Sequence, residues 1–422
     1  MLGRLIVIAC LLGPAAAFAA EGSDAHRWTI GVDVGLADPA SPLTSWVDGG
    51  VGKLRYSSAD RGVVASRWYA EYSGRLGPVW SVHATADAVD DASSGFGLTE
   101  AYVEWRPLPR SPNRQHVKIG FFNGPWSLEN TGPAWSTPLT LSASAVNTWI
   151  GEEVRPVGAE WSLERRLGAR SLHELSVHAA AFVGNDPGGS LLAWKGWSIH
   201  DRQSRFDDRL PLAPLPLIQP GAMFQAQAPY VEPWQEIDGR AGYYAGAEWR
   251  YARRSEVTLA HYDNRADPTR LEAGQYAWHT RFEQVGAQIA LPGGVGLLTQ
   301  WMTGTTVMGP VLVTARAVDT DFYAHYVLLT KLFGRHRVTL RRDGFEVEDN
   351  DGVPGDDNSD SGDAWTLAYR YDRSARWSIG AEWLSISSWH PAWGYFGLPA
   401  SATERLLQLR LSLRFGALDR AN

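Results

Sequence analysis

Charged residues recur at even spacing along several stretches of the chain: Glu100, Glu104 and Arg106; Glu160, Glu164 and Arg166; Glu248 and Arg250; Arg337 and Arg341; Arg410 and Arg414. Arg67, Glu71 and Arg75 form another such set, and Arg240 and Glu382 add single charges. Carboxylates and guanidinium groups aimed into a wet, narrow space sort ions through their fields. Paired across neighbouring strands, the same groups would only stiffen a wall. A different chemistry is open to 346–363, where Glu346, Glu348, Asp349, Asp351, Asp356, Asp357, Asp360 and Asp363 offer hard oxygen ligands of the kind calcium takes. Their spacing does not follow the calcium-loop pattern, and a solvated loop is the plainer reading. His173 and His178 fall on opposite strand faces, and His325 and His336 on different strands, so no zinc spacing arises. No Gly-x-Ser-x-Gly elbow or phosphate loop is present. A hydrolase would have to assemble its Ser, His and acid from distant strands. The chain is therefore expected to carry no cofactor, no metal and no catalytic residues.

The elements that must position these charges are strands. Ala101, Val103 and Trp105 interleave with Glu100, Glu104 and Arg106, and Ala159, Trp161 and Leu163 with Glu160, Glu164 and Arg166. Successive strand side chains point to opposite faces, so each segment is apolar on one side and charged on the other. The tetrapeptide Gly-Ala-Glu-Trp occurs at 158–161, 246–249 and 380–383, a reused strand template rather than a solenoid repeat. A soluble sandwich and a membrane barrel both alternate this way. Strand length, roughly 9 to 14 residues, favours a tilted membrane crossing. So do aromatics near the strand ends, such as Trp28, Trp68, Trp105, Trp249, Trp377 and Trp383. Between Phe282 and Val285 the alternation slips phase, which a β-bulge near Glu283 would explain.

Connectivity gives a strand count. Tight turns at Gly77-Pro78, 167–170, 252–254, 292–294, 332–334 and Ser374-Ala375, with a medium one at 107–115, alternate with long segments. The long segments are approximately 37–62, 90–96, 123–155, 185–238, 264–274, 304–317, 347–362 and 388–402. This alternation requires about sixteen strands, with short periplasmic turns and long external loops. The expectation is an all-β, transmembrane antiparallel β-barrel over 21–422. Residues 1–20 read as a signal peptide, with Arg4, an apolar run and an Ala17-Phe18-Ala19 cleavage site, and contain Cys10, the single cysteine. The strand Leu407 to Phe415 resembles the closing strand read by barrel-assembly machinery, and 416–422 form a C-terminal extension.

Composition removes other classes. With 20 Trp, 15 Tyr and 13 Phe the chain is neither disordered nor collagen-like. A net charge of −7 with scattered arginines argues against nucleic acid as a partner.

Val117 to Phe122, followed by Gly124-Pro125-Trp126-Ser127-Leu128-Glu129, resembles the strand-then-loop segment of the phosphate-selective porin O and P family. The resemblance implies a passive diffusion channel in the outer membrane of a Gram-negative bacterium, surrounded by lipid and lipopolysaccharide. Small hydrophilic solutes, anionic or mixed, would be its cargo, and a homotrimer its assembly. It also implies that 123–155 folds inward as a constriction loop carrying Trp126, Glu129, Glu152, Glu153 and Arg155. Those last three could face the pore or tie the loop to the wall. The Pro-rich segment 185–238 could plug the mouth, bind a partner or shield the rim, so a non-conducting receptor or adhesin stays open beside the channel.

Overall fold

The computed structural model describes residues 25–416 apart from 92–94, 169–170, 253 and 313–314. The segment 1–20 and the tail 417–422 lie outside the described residues. Sixteen antiparallel strands pair in chain order, and the last pairs back onto the first. They are β1 (His26–Ala40), β2 (Gly62–Arg75), β3 (Trp80–Ala88), β4 (Phe96–Trp105), β5 (Asn113–Phe121), β6 (Val157–Arg166), β7 (His173–Val183) and β8 (Gly242–Tyr251). The second half holds β9 (Ser255–Asp263), β10 (His279–Leu291), β11 (Val295–Leu312), β12 (Ala315–Phe333), β13 (His336–Asp349), β14 (Asp360–Ser374), β15 (Trp377–Trp389) and β16 (Ser401–Gly416). Closure is made by the strictly alternating last strand, with Phe415 opposite Ile30 and Leu409 opposite Leu36. A closed barrel satisfies every ladder hydrogen bond internally and leaves no open edge.

Trp161, Trp249, Leu259, Leu340, Leu367, Trp383, Leu407 and Leu409 are exposed large apolar side chains on the outward faces. Exposing such a girdle to water would cost about 25 cal/mol per Å². Its proper solvent is hydrocarbon, and the protein is a transmembrane barrel of the outer-membrane type. No helix among the described residues is long and apolar enough to cross a membrane.

Three expectations need correcting. β10 runs without a register shift against either neighbour, so there is no bulge near Glu283. The phase slip arises because Phe282 points inward into an apolar core, while Val285 points outward and is exposed. The expected loop 304–317 is mostly strand, since β11 and β12 run on to leave only 313–314 between them. Arg240 is not on a strand: it lies just before β8 on the rim of the long-loop end, beside Asp238 and Asp267.

Three long connections pack inside the cylinder, the first loop among them through Leu54 and Tyr56. The third loop (122–156) contains α1 (Ala145–Glu153), started by Ser144, whose hydroxyl accepts from the Asn147 amide. The fourth loop (184–241) contains α2 (Ser190–Lys195). Inward aromatics Tyr244, Tyr262, Phe282, Phe322 and Phe345 pack with Trp126, Trp149, Ile150 and Trp197 of these loops in one buried cluster. A second cluster joins Trp46 of the first loop (41–61) to Leu191, Trp194 and Leu217 of the fourth and Met308 of β11. The hydrophobic core of this protein thus sits inside the long-loop half of the barrel.

Candidate channel lumen

The evenly spaced charged residues of a strand share one of its faces. Arg67, Glu71 and Arg75 share one face of β2, and Glu160, Glu164 and Arg166 one face of β6, opposite in parity to the exposed Trp161. Their surroundings divide by height. Arg75, Arg106 and Arg166 are exposed at the short-turn end, whereas Arg67, Glu160, Arg341, Glu382 and Arg410 are buried.

At the short-turn end the lumen holds a cavity of about 860 Å³. Arg27, Arg335, Arg370, Arg373 and Arg414 line it together with Glu71, Glu100 and Asp372, and its ceiling is the tip of the third loop, Thr131 to Pro133. Arg370 is braced by Asp372 at 2.7 Å. Glu248 and Arg250 form an ion pair on β8, and Arg337 reaches the Thr330 hydroxyl at 3.1 Å. Glu104 pairs with Arg106 at 3.0 Å. Glu164 and Arg166 line a further cavity of about 520 Å³ near the turns.

Above the cavity the third loop crosses the lumen from wall to wall. The Asn123 amide donates to Glu100 at 2.9 Å, and the Ala134 amide to Glu71 at 2.7 Å, while Arg67 reaches the Ala134 carbonyl. On the far side the Trp126 carbonyl accepts from Gln284 at 2.5 Å and Gln300 at 2.6 Å. The Trp126 indole stands edge-on to Tyr244, Tyr262 and Phe282. Glu129 accepts from the Ser144 amide at 2.7 Å and faces Arg341 at 3.4 Å. Arg341 in turn donates to the Ser142 and Ala143 carbonyls at 2.8 Å each. Glu382 accepts from the Leu141 amide at 2.6 Å and the Ser142 hydroxyl at 2.7 Å. Most of the buried inward charges therefore hold backbone of the loop, which explains how the interior carries so many of them: each is neutralised or hydrogen-bonded.

Glu152, Glu153 and Arg155 do not face water; all three are buried and bind the third loop to the fourth. Glu152 takes Lys195 at 2.8 Å and His200 at 2.7 Å. Burial alone would raise its carboxyl, but Lys195 and His200 outweigh burial and hold it at about 2. Glu153 accepts from the Leu191 and Leu192 amides at 2.9 and 3.1 Å and from the Trp149 indole at 2.7 Å. Burial still dominates there and pushes this carboxyl up to about 7. Arg155 donates to Asn123 at 2.9 Å and to the Ser204 carbonyl at 2.6 Å, between the Phe121 and Trp234 rings.

Sequence reasoning missed the fourth loop's share of this network. Besides Lys195 and His200, Asp201 joins Arg55 at 2.7 Å to Arg410 at 2.6 Å, and Lys53 meets Asp360 at 2.8 Å. One signal was readable: Leu191-Leu192-Ala193-Trp194 and Trp197 are too apolar for a solvated loop.

Among the described residues three Ser, His and acid groupings bear on hydrolysis. Ser162 lies 2.9 Å from His178 Nδ1, whose Nε2 is 4.0 Å from Glu248. In the second, His200 Nε2 faces both Ser198 and Glu152, so no proton relay runs through the ring. In the third, beside the lumen cavity, His83 Nε2 likewise faces both Ser81 at 3.0 Å and Glu104 at 3.9 Å. Ser162 and Ser198 are buried, at 0% and 2% exposure, whereas Ser81 is half-buried.

A closed barrel with an apolar girdle, a charged interior and inward-folded loops defines an outer-membrane β-barrel of porin-like architecture. No protein-family model matches the chain, and no curated protein matches it. Among solved structures it is similar to a loop-deletion mutant of OmpT, an outer membrane protein of Vibrio cholerae, at 8% identity and a TM-score of 0.52, covering 92% of this chain and 99% of that one. It is also similar to the outer membrane channel DcaP of Acinetobacter baumannii, at 10% identity and a TM-score of 0.50, covering 94% and 99%. At these identities the likeness concerns the fold.

Proposed function

We propose that this protein is a porin, a passive diffusion channel for small hydrophilic solutes in the outer membrane of a Gram-negative bacterium, and not an enzyme. The observation that carries the reading is the charged, water-facing cavity inside the barrel, ceilinged by the third loop. That loop is then the constriction, and the fourth loop narrows the path on the long-loop side. The cavity's five arginines against three acids give its walls a basic excess, which favours anionic over cationic solutes. The resemblance to the phosphate-selective porins O and P rests on Val117 to Glu129 and supports the same sign of solute without naming it. A homotrimer in lipid and lipopolysaccharide, delivered by barrel-assembly machinery, belongs to this reading through that resemblance and the alternating closing strand.

Swelling of proteoliposomes in small sugars and organic acids tests it. Small solutes should swell the vesicles, and anions faster than cations of equal size. Vesicles that stay inert with an assembled barrel would favour the second reading, a loop-borne receptor. The packing of Trp149, Ile150 and Trp197 across the bore is the observation on that side.

A further inference from the structure

Among the described residues one group of carboxylates has the geometry of a cation site, and it lies outside the acid-rich stretch 346–363. Asp186, at the start of the fourth loop, meets Glu236 and Asp238, near its end, so that one oxygen from each lies within 4.8 Å of the others. We propose that these three residues bind a calcium ion that ties the two ends of the fourth loop together at the barrel rim.

The hydrogen bonds around the group come from backbone and leave its charge uncompensated. Asp186 accepts from the Ile237 amide at 2.5 Å and the Asp238 amide at 3.2 Å through one carboxylate oxygen. Glu236 accepts from Gly184 and Gly239, both at 2.6 Å, and Asp238 from Arg240 at 2.7 Å and from the Asp267 amide. The one cationic side chain beside the group among the described residues is Arg240, 3.8 Å from Asp238, more than half exposed and engaged with Asp267 at 3.0 Å. Asp186 and Glu236 have no ion-pair partner among the described residues.

An independent sign comes from Asp186 itself. Its residue is 0% exposed, yet its second oxygen, Oδ1, has no hydrogen-bond partner. A buried carboxylate oxygen without a donor is costly, and natural proteins satisfy such atoms with water or an ion. Calcium suits this one: it takes oxygen ligands only, at about 2.3–2.6 Å and in flexible geometry, and completes its shell with water. Three oxygens at the observed separation can share such an ion, whereas magnesium demands tighter octahedral spacing at about 2.0–2.1 Å.

Placement supplies the consequence. Residues 184–241 enter the lumen after β7 and leave it before β8, so an ion here closes the loop at its base. Without the ion the three carboxylates repel, and the backbone hydrogen bonds to Asp186 and Glu236 alone hold the base of the loop.

The test uses the full-length barrel refolded without lipopolysaccharide, stripped with EDTA, and titrated with calcium chloride by calorimetry. One equivalent should bind, and limited proteolysis within 184–241 should slow when calcium is present. Glu236→Gln and Asp186→Asn should each weaken binding about tenfold or more. Asp351→Asn plus Asp356→Asn, in the acid-rich stretch, should leave it unchanged. Heat-modifiable migration reports assembly, and if Asp186→Asn fails to assemble, Glu236→Gln and the parent protein decide. No saturable calcium binding by the parent, or equal binding by Glu236→Gln, overturns the proposal.

Discussion

Replacing Glu152 by Gln should undock the third loop from the fourth while the barrel stays closed. The carboxylate accepts from Lys195 Nζ at 2.8 and 3.0 Å and lies 2.7 Å from His200 Nε2, and its residue is 1% exposed. Its pKa falls from 4.5 to about 2 through those partners, a gap worth on the order of 3 kcal/mol at about 1.4 kcal/mol per unit. Gln cannot supply the charge, and the Lys195 ammonium would be left buried with the Ser198 hydroxyl and the Trp46 face. Breaking one side of a buried pair costs about 3–5 kcal/mol, so the two routes to the magnitude agree. A loss of about 3 kcal/mol raises the undocked population roughly a hundredfold. None of the bonding partners of Glu152 is on a strand, so the cost falls on the loops. Hydrogen exchange read by mass spectrometry should show the amides of α1 and of 196–204 exchanging about a hundredfold faster, with the strands unchanged. Unaltered loop exchange in a normally assembled variant would refute the reasoning.

Glu382→Gln should assemble but free the third loop from β15, because the carboxylate holds the Leu141 amide and the Ser142 hydroxyl; larger and noisier single-channel currents would show it. Ala247→Arg, on the outward face of β8, should lower assembly yield, a lipid-facing Arg costing about 2–4 kcal/mol near the midplane, as read by heat-modifiable migration. Glu153 titrates higher in the folded protein, at about 7 against 4.5, so it binds its proton more tightly when docked. Its contribution is complete below about pH 4.5 and lost as pH rises through about 7, so Glu153→Gln should gain loop protection over the parent at pH 8 and match it at pH 4.5.

Much of the wall was legible because a strand exposes its partition every second residue. Glu160 and Trp161, or Glu382 and Trp383, could be sorted to opposite faces without coordinates, and short turns marked one end of the cylinder. The interior of the long-loop half was not legible. There Phe282, Phe322 and Phe345 face inward, against the polar-lumen expectation, because the loops bring their own apolar surface. Loop residues carry no period, so nothing local announced that Lys195 and His200 would meet Glu152, or that Asp186 would meet Glu236 and Asp238 across some fifty residues of chain. The acid-rich stretch 346–363 is less solvated than its composition suggested: Asp356 and Asp360 are buried, and Asp360 is spent on Lys53 of the first loop.

Single-channel recording in planar bilayers, with a salt gradient across the membrane, tests the central claim most directly. The account predicts discrete, ohmic conductance steps and a reversal potential of the sign that marks anion preference, weakening as salt rises and screens the arginines of the cavity. An assembled barrel that stays electrically silent would contradict the channel, and a reversal potential of cation sign would contradict the role given to the arginine-rich wall.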